Sequence, residues 1–79
     1  MIIPGIRDIE VGRWYICIIG NSEELCKVTR GVITDNKTGV KVFCYKVVCY
    51  YTGKDLYIGE LDECRSWLRD RLQLIRKKG

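Results

Sequence analysis

Gly39-Val40-Lys41-Val42-Phe43-Cys44-Tyr45-Lys46-Val47-Val48-Cys49-Tyr50-Tyr51 is the stretch on which the reading of this chain turns. Almost every position from Val40 to Tyr51 is β-branched or aromatic, with cysteine and lysine between. Such side chains fit a pleated, packed surface better than a helix. The stretch therefore reads as a strand. One alternating set is Val40, Val42, Cys44, Lys46, Val48 and Tyr50; the other is Lys41, Phe43, Tyr45, Val47, Cys49 and Tyr51. Neither set is simply polar, so both faces are expected to be substantially covered. A run of about twelve residues is long beside the usual five or six. It suggests a strand that curls and serves two parts of a small barrel. The plainer alternative is a flat central strand with a helix on one face only.

Turn chemistry brackets this strand. In Asp35-Asn36-Lys37-Thr38-Gly39 the Asp and Asn can bond their own backbone and the Gly accepts positive φ, so the segment joins the second and third strands as a hairpin. The second strand reads as Leu25 to Thr34, with Cys26, Val28 and Val32 inward and Lys27 and Thr29 outward. Gly31 marks a candidate bulge, after which Ile33 would also turn in. Upstream, residues 1–12 form an irregular lead-in punctuated by Pro4-Gly5 and Gly12. Arg13 to Ile19 reads as the first strand, with Trp14, Ile16 and Ile18 on one face and Tyr15, Cys17 and Ile19 on the other. Gly20 to Glu24 is a polar turn. Downstream, Thr52-Gly53-Lys54-Asp55 turns the chain into a short fourth strand, Leu56-Tyr57-Ile58. Residues 13–58 thus form a four-stranded antiparallel meander.

From Glu60 the period changes. Leu61, Cys64, Leu68, Leu72 and Ile75 recur at spacings of 3, 4, 4 and 3, which predicts a helix over residues 60–77 roofing the sheet. Glu60, Asp62 and Glu63 at its start and Arg76, Lys77 and Lys78 at its end match the helix dipole. Trp67 and Leu74 stand together well away from the core stripe, at about 100° per residue. Either they pack under the lead-in or they form an apolar ridge for a partner or a second copy. With Arg71 they are the candidate protein-interface residues. Arg65, Arg69 and Arg76 make a basic ridge on the other flank, where Asp62 and Asp70 also allow ordinary helical ion pairs.

Composition sets the outer limits. Seventy-nine residues make a single domain, and one this small buries only about 60% of its unfolded surface. No apolar run approaches membrane-spanning length, and the start lacks a signal-peptide layout, so a soluble cytoplasmic protein with no membrane association is expected. Fourteen Lys and Arg against ten Asp and Glu leave a net charge of +4, which permits nucleic-acid contact without demanding it. Cys17, Cys26, Cys44, Cys49 and Cys64 include no C-x-x-C pair, and histidine is absent. The usual zinc spacings are missing, and the thiols read as small buried hydrophobes. Without histidine there is no Ser-His or Cys-His pair, and there is no phosphate-binding glycine loop. No catalytic, metal or cofactor site is expected, nor an enzyme.

The order of strands and turns, with Gly12 before the first strand, Gly31-Val32 in the second, the Asp35-to-Gly39 turn and Leu61 after the fourth, resembles a small SH3-like barrel. The closing helix from Glu60-Leu61 makes the chain similar to chromo-like and archaeal chromatin-protein variants, in which a curved sheet is capped by a C-terminal helix. The resemblance covers about residues 10–77. In size and style the chain also looks like small accessory proteins that phages and archaeal viruses encode against host machinery, including CRISPR systems, which would place it in the host cytoplasm.

Two functions follow as expectations. The first is a protein-interaction or inhibitor module, dimeric or with another protein partner, anchored by Trp67, Leu74 and Arg71. The alternative is a nucleic-acid-binding module in which Lys41, Tyr45, Lys46, Tyr50, Lys54, Arg65, Arg69 and Arg76 interleave cations with stacking rings.

Overall fold

The computed structural model describes residues 5–72. Four strands, β1 (Tyr15–Ile19), β2 (Ser22–Thr34), β3 (Lys41–Cys49) and β4 (Asp55–Gly59), form one antiparallel sheet in the order β1-β2-β3-β4, and helix α1 (Leu61–Arg69) follows. The class is α+β, and the meander is as the turn chemistry indicated. The sheet stays open, with β1 and β4 at opposite edges. The length of the central strand is therefore used for reach and not for closure.

The hairpin between β2 and β3 follows from its turn. The Asp35 carboxylate accepts the Lys37 N–H at 2.8 Å, and Gly39 donates to the Asp35 carbonyl at 2.8 Å with φ at +74°. From Cys26 opposite Cys49 to Thr34 opposite Lys41 the register runs without a break, so the bulge expected at Gly31 is not there. Glycine serves close packing instead: a Cβ at Gly31 would come within 3.2 Å of Lys46 Cδ and 3.3 Å of Cys44 Sγ. The irregularity lies at Val47/Val48, against β4.

One face of the sheet is sealed. Cys17, Cys26, Val28 and Val47 point under α1, where Cys64 and Leu68 meet them, and Ile9 of the lead-in completes the cluster. The lead-in is held there by polar bonds. Arg65 Nε donates to the Ile9 carbonyl at 3.0 Å, the Glu10 N–H donates to Tyr15 Oη at 2.8 Å, and the Gly12 N–H donates to the Val28 carbonyl at 2.8 Å. Among the described residues no helix lies over the other face, where Ile16, Ile18, Tyr50 and Ile58 stand exposed, so the expectation that both faces are covered fails. The helix-on-one-face alternative describes the molecule.

Helix α1 begins where the sequence indicates, with Glu63 Oε1 accepting the Glu60 N–H at 3.0 Å. It ends earlier, at Arg69. The Arg71 and Leu72 N–H groups close short turns onto Leu68 and Arg69, and the chain then lies along the outer edge of β1, where Ile18 donates to the Arg71 carbonyl at 2.7 Å and Leu72 bridges Cys17. The unpaired edge of β1 competes with helical continuation for these backbone groups and wins. The rest of the helix expected to residue 77, with Leu74, Ile75 and Arg76, lies outside the described residues.

Strands β2 and β3 outrun both neighbours. β1 covers β2 over Ser22 to Cys26, and β4 covers β3 over Tyr45 to Val48. The distal parts of β2 and β3, with their turn, form a two-stranded arm, and the molecule measures 57 × 25 × 18 Å. Val32, expected to point into the core, is 52% exposed because it lies on this arm, beyond the reach of the short helix.

Candidate interaction surface

The uncovered face carries the alternate residues of each strand. Trp14, Ile16 and Ile18 come from β1 and the residue before it, Leu25 and Lys27 from β2, Val48 and Tyr50 from β3 and the residue after it, and Ile58 from β4. Ile16, Ile18, Tyr50 and Ile58 all remain exposed. At one end the rings organise one another: Trp14 meets Tyr50 edge-on at 5.1 Å, and Tyr50 meets Tyr51 edge-on at 5.2 Å. Lys27 Nζ sits 4.5 Å from the Trp14 ring centroid, a cation held over the face of the π system. Pairing across the strands produces this cluster, since Trp14 continues the register that sets Tyr15 opposite Cys26, and Tyr50 donates its N–H to the Leu25 carbonyl at 2.8 Å. The arrangement is an exposed, largely apolar face with an aromatic corner, interrupted by Glu23, Lys27 and the Lys46–Asp55 pair. It has the shape of a docking surface and not of a cleft for a small substrate.

The residues singled out from the helix pattern are more engaged. Trp67 is half-buried: one face of its indole lies under the Arg71 guanidinium, 4.0 Å from the ring centroid, and the Tyr57 ring stacks with it at 6.1 Å and 24°. Arg71 also donates to the Trp67 carbonyl at 3.0 Å. Tyr57 in turn donates to Glu63 Oε2 at 3.4 Å, and the charge on Glu63 raises the phenol above its ordinary value. A shallow hollow of about 430 Å³ between Tyr57, Trp67 and Arg71 is rimmed by Asp62, Glu63 and Asp70. The tryptophan therefore packs partly against β4 and not under the lead-in, and Leu74, expected beside it in an apolar ridge, lies outside the described residues.

The basic set does not form one surface. Lys41 and Tyr45 face the helix side of the sheet and Lys46 and Tyr50 the open side, because odd and even positions of β3 point oppositely; Tyr45 packs against the core. Lys46 pairs with Asp55 at 3.2 Å and Arg69 with Asp70 at 3.2 Å, while Arg65 is held by Ile9 and lies 3.9 Å from Asp62. Lys54 is exposed in its turn. Arg76 lies outside the described residues. The cluster that the structure does assemble, Trp14 with Lys27, Tyr50 and Tyr51, was readable only in part: Trp14 and Tyr50 both stood out as aromatic, but their register was not.

The cysteines are free thiols, and all but Cys44 are buried. Burial pushes Cys17 up to about 12, with Cys26 adding to the effect, and burial likewise raises Cys26 and Cys64. A neutral buried thiol is a poor nucleophile. Among the described residues no group of His, Cys, Asp and Glu could hold a metal ion, and no helix is long and apolar enough to cross a membrane.

No family model matches the chain, and neither do any curated protein or solved structure.

Proposed function

We propose that this chain is a non-enzymatic protein-interaction module that docks a partner on the open face of its sheet. The observation that carries the reading is the asymmetry of that sheet. One face is sealed by α1 and Ile9, while the other presents Trp14, Ile16, Ile18, Tyr50 and Ile58 to solvent. Exposed Trp, Tyr and Ile side chains on one face match the anchor residues that dominate protein interfaces. The finer reading is an SH3-like or chromo-like domain, supported by the meander order, the long central hairpin and the helix on one face. The exposed aromatic corner, with no catalytic constellation among the described residues, supports an inhibitor or accessory role, such as a virus-encoded one in a host cytoplasm.

Affinity capture from a lysate of the source organism or its host tests the proposal. Wild type should retain a discrete partner, and both Trp14→Ala and Ile16→Lys should reduce retention at least about tenfold. Equal capture by all three would refute docking on this face.

A second reading has one specific observation in its favour: Lys27, Trp14, Tyr50 and Tyr51 place a cation among exposed rings, as single-stranded nucleic-acid binders do. It requires retention on a single-stranded DNA column at low salt, falling steeply as salt rises. Passage through that column without delay would remove it.

A further inference from the structure

The arm is the part of the molecule that its own fold leaves unfinished. A two-stranded ribbon alone is at best marginally stable in water. This one carries Val32 and Phe43 on the helix side and Ile33, Val40 and Val42 on the other, all exposed, with Phe43 at 83%. On the same side of the sheet, residues 71–72 cover the edge of β1. From Thr29 to Thr34 the outer edge of β2 has no backbone partner among the described residues. Of the usual devices against pairing that edge holds no proline and no bulge, and one charge, Arg30.

We infer that this edge pairs with the same edge of a second copy of the chain, β2 against β2 and antiparallel, about a two-fold axis at Val32. The pleat fixes that position. A two-fold axis perpendicular to a sheet keeps every side chain on its own face, so opposed residues must share parity and the axis must pass through a residue, not between two. The free edge, Thr29 to Thr34, has its midpoint between Gly31 and Val32. An axis at Gly31 would bring Thr34 of one copy opposite Val28 of the other, whose carbonyl already accepts the Gly12 N–H at 2.8 Å. An axis at Val32 pairs residues 30–34 of both copies and stops short of that bond.

The same register makes the side chains complementary. Val32 meets Val32 of the second copy and is flanked in each sheet by its own cross-strand neighbour Phe43, giving an apolar row four residues wide. Ile33 lies opposite Gly31, and Arg30 opposite Thr34, so no like charges face each other. The four-stranded sheets become one of eight strands. Edge pairing over so few residues is smaller than the roughly 1,200 Å² of a standard stable interface, so the dimer is reversible.

Sedimentation equilibrium of the full chain, in reductant to exclude disulfides, should show the mass rising from 9.2 kDa toward twice that value. The rise should fall between roughly 10 and 500 µM, the range of a weak dimer. Val32→Lys sets two like charges side by side at the axis and should weaken association at least about tenfold, with an unchanged far-ultraviolet spectrum because Val32 is half in solvent. Val32→Cys, mildly oxidised, should give a covalent dimer linked through position 32 of both chains, since opposed Cα atoms at about 4.5–5.5 Å suit a disulfide. A wild type that is monomeric throughout, an association indifferent to Val32→Lys, or a dimer whose cross-link does not form at position 32 would each overturn the inference. So would a monomer that loses capture of a different protein on Val32→Lys, for the arm would then serve a foreign strand. The platform variants Trp14→Ala and Ile16→Lys should leave this association intact, which separates its failure from failure of the docking proposal.

Discussion

Cys17, Val28 and Val47 point to one side of the sheet and are shut away from solvent; Ile16, Ile18 and Ile58 point to the other side of the same ribbon and stand half in water. Apolar content alone does not distinguish the two sides. The sealed one is small-chained only at its centre, where thiols and valines let Leu68, Cys64 and Ile9 approach closely and Tyr15, Ile19, Tyr45 and Tyr57 pack around them. The open one carries Trp14, Ile16, Ile18 and Ile58, with no helix above them among the described residues. Burial is thus decided by what the helix and lead-in can reach, and the residues left over are those with the most surface to offer a partner.

The comparison can be broken most directly at Leu68. Leu68→Ala on the sealed side should cost about 2–5 kcal/mol in urea unfolding, whereas Ile58→Ala on the open side should cost under about 1 kcal/mol because the side chain is already half-exposed. Similar losses at the two positions would mean that the open face is covered in solution. Next in size, Cys17→Ser should destabilise by about 1–3 kcal/mol, read from the same urea curves, since it exchanges a buried thiol for a hydroxyl that must find a partner.

The thiols sharpen the contrast through pH. Cys17 is raised from 9.0 to about 12, so the folded state holds its proton more tightly than the unfolded state does. The resulting stability is intact below pH 9 and is lost as pH rises from there toward 12. Denaturation midpoints measured from pH 8 to 11 should fall for wild type, and less for Cys17→Ala relative to its own value at pH 8. Alkylation at pH 8 followed by mass spectrometry should label half-buried Cys44 first and Cys17 and Cys64 last; early labelling of Cys17 would contradict its burial. A further modest effect is expected at the hairpin tip, where Gly39→Ala must adopt φ near +74° and should cost about 1 kcal/mol in urea unfolding.

Local chemistry carried the meander: the Asp35-to-Gly39 turn and the change of period at Glu60 needed no tertiary information. What decided the rest was tertiary. Both parity sets of β3 are apolar, so pattern could not say which side the helix would choose. Leu72 continues the helical stripe yet ends up bridging Cys17, because the edge of β1 offered its backbone a better partner. Ile9 sits in a polar, glycine-flanked segment that gives no periodic signal, and Arg65, Tyr15 and Val28, all outside that segment, hold it inward. The candidate surface was legible as residues and not as a surface: Lys41 and Lys46 are close in sequence but project from opposite sides, and Trp14 gains its meaning from Tyr50 across two strand pairings.

The fastening of residues 71–72 along β1, together with the bond from Arg65 to Ile9, joins the early part of the chain to its last described residues. Loop closure over such separations is slow to initiate. During synthesis the meander would emerge first with its thiol-lined side bare, and the fold could lock only once the segment beyond Arg69 had cleared the ribosomal tunnel.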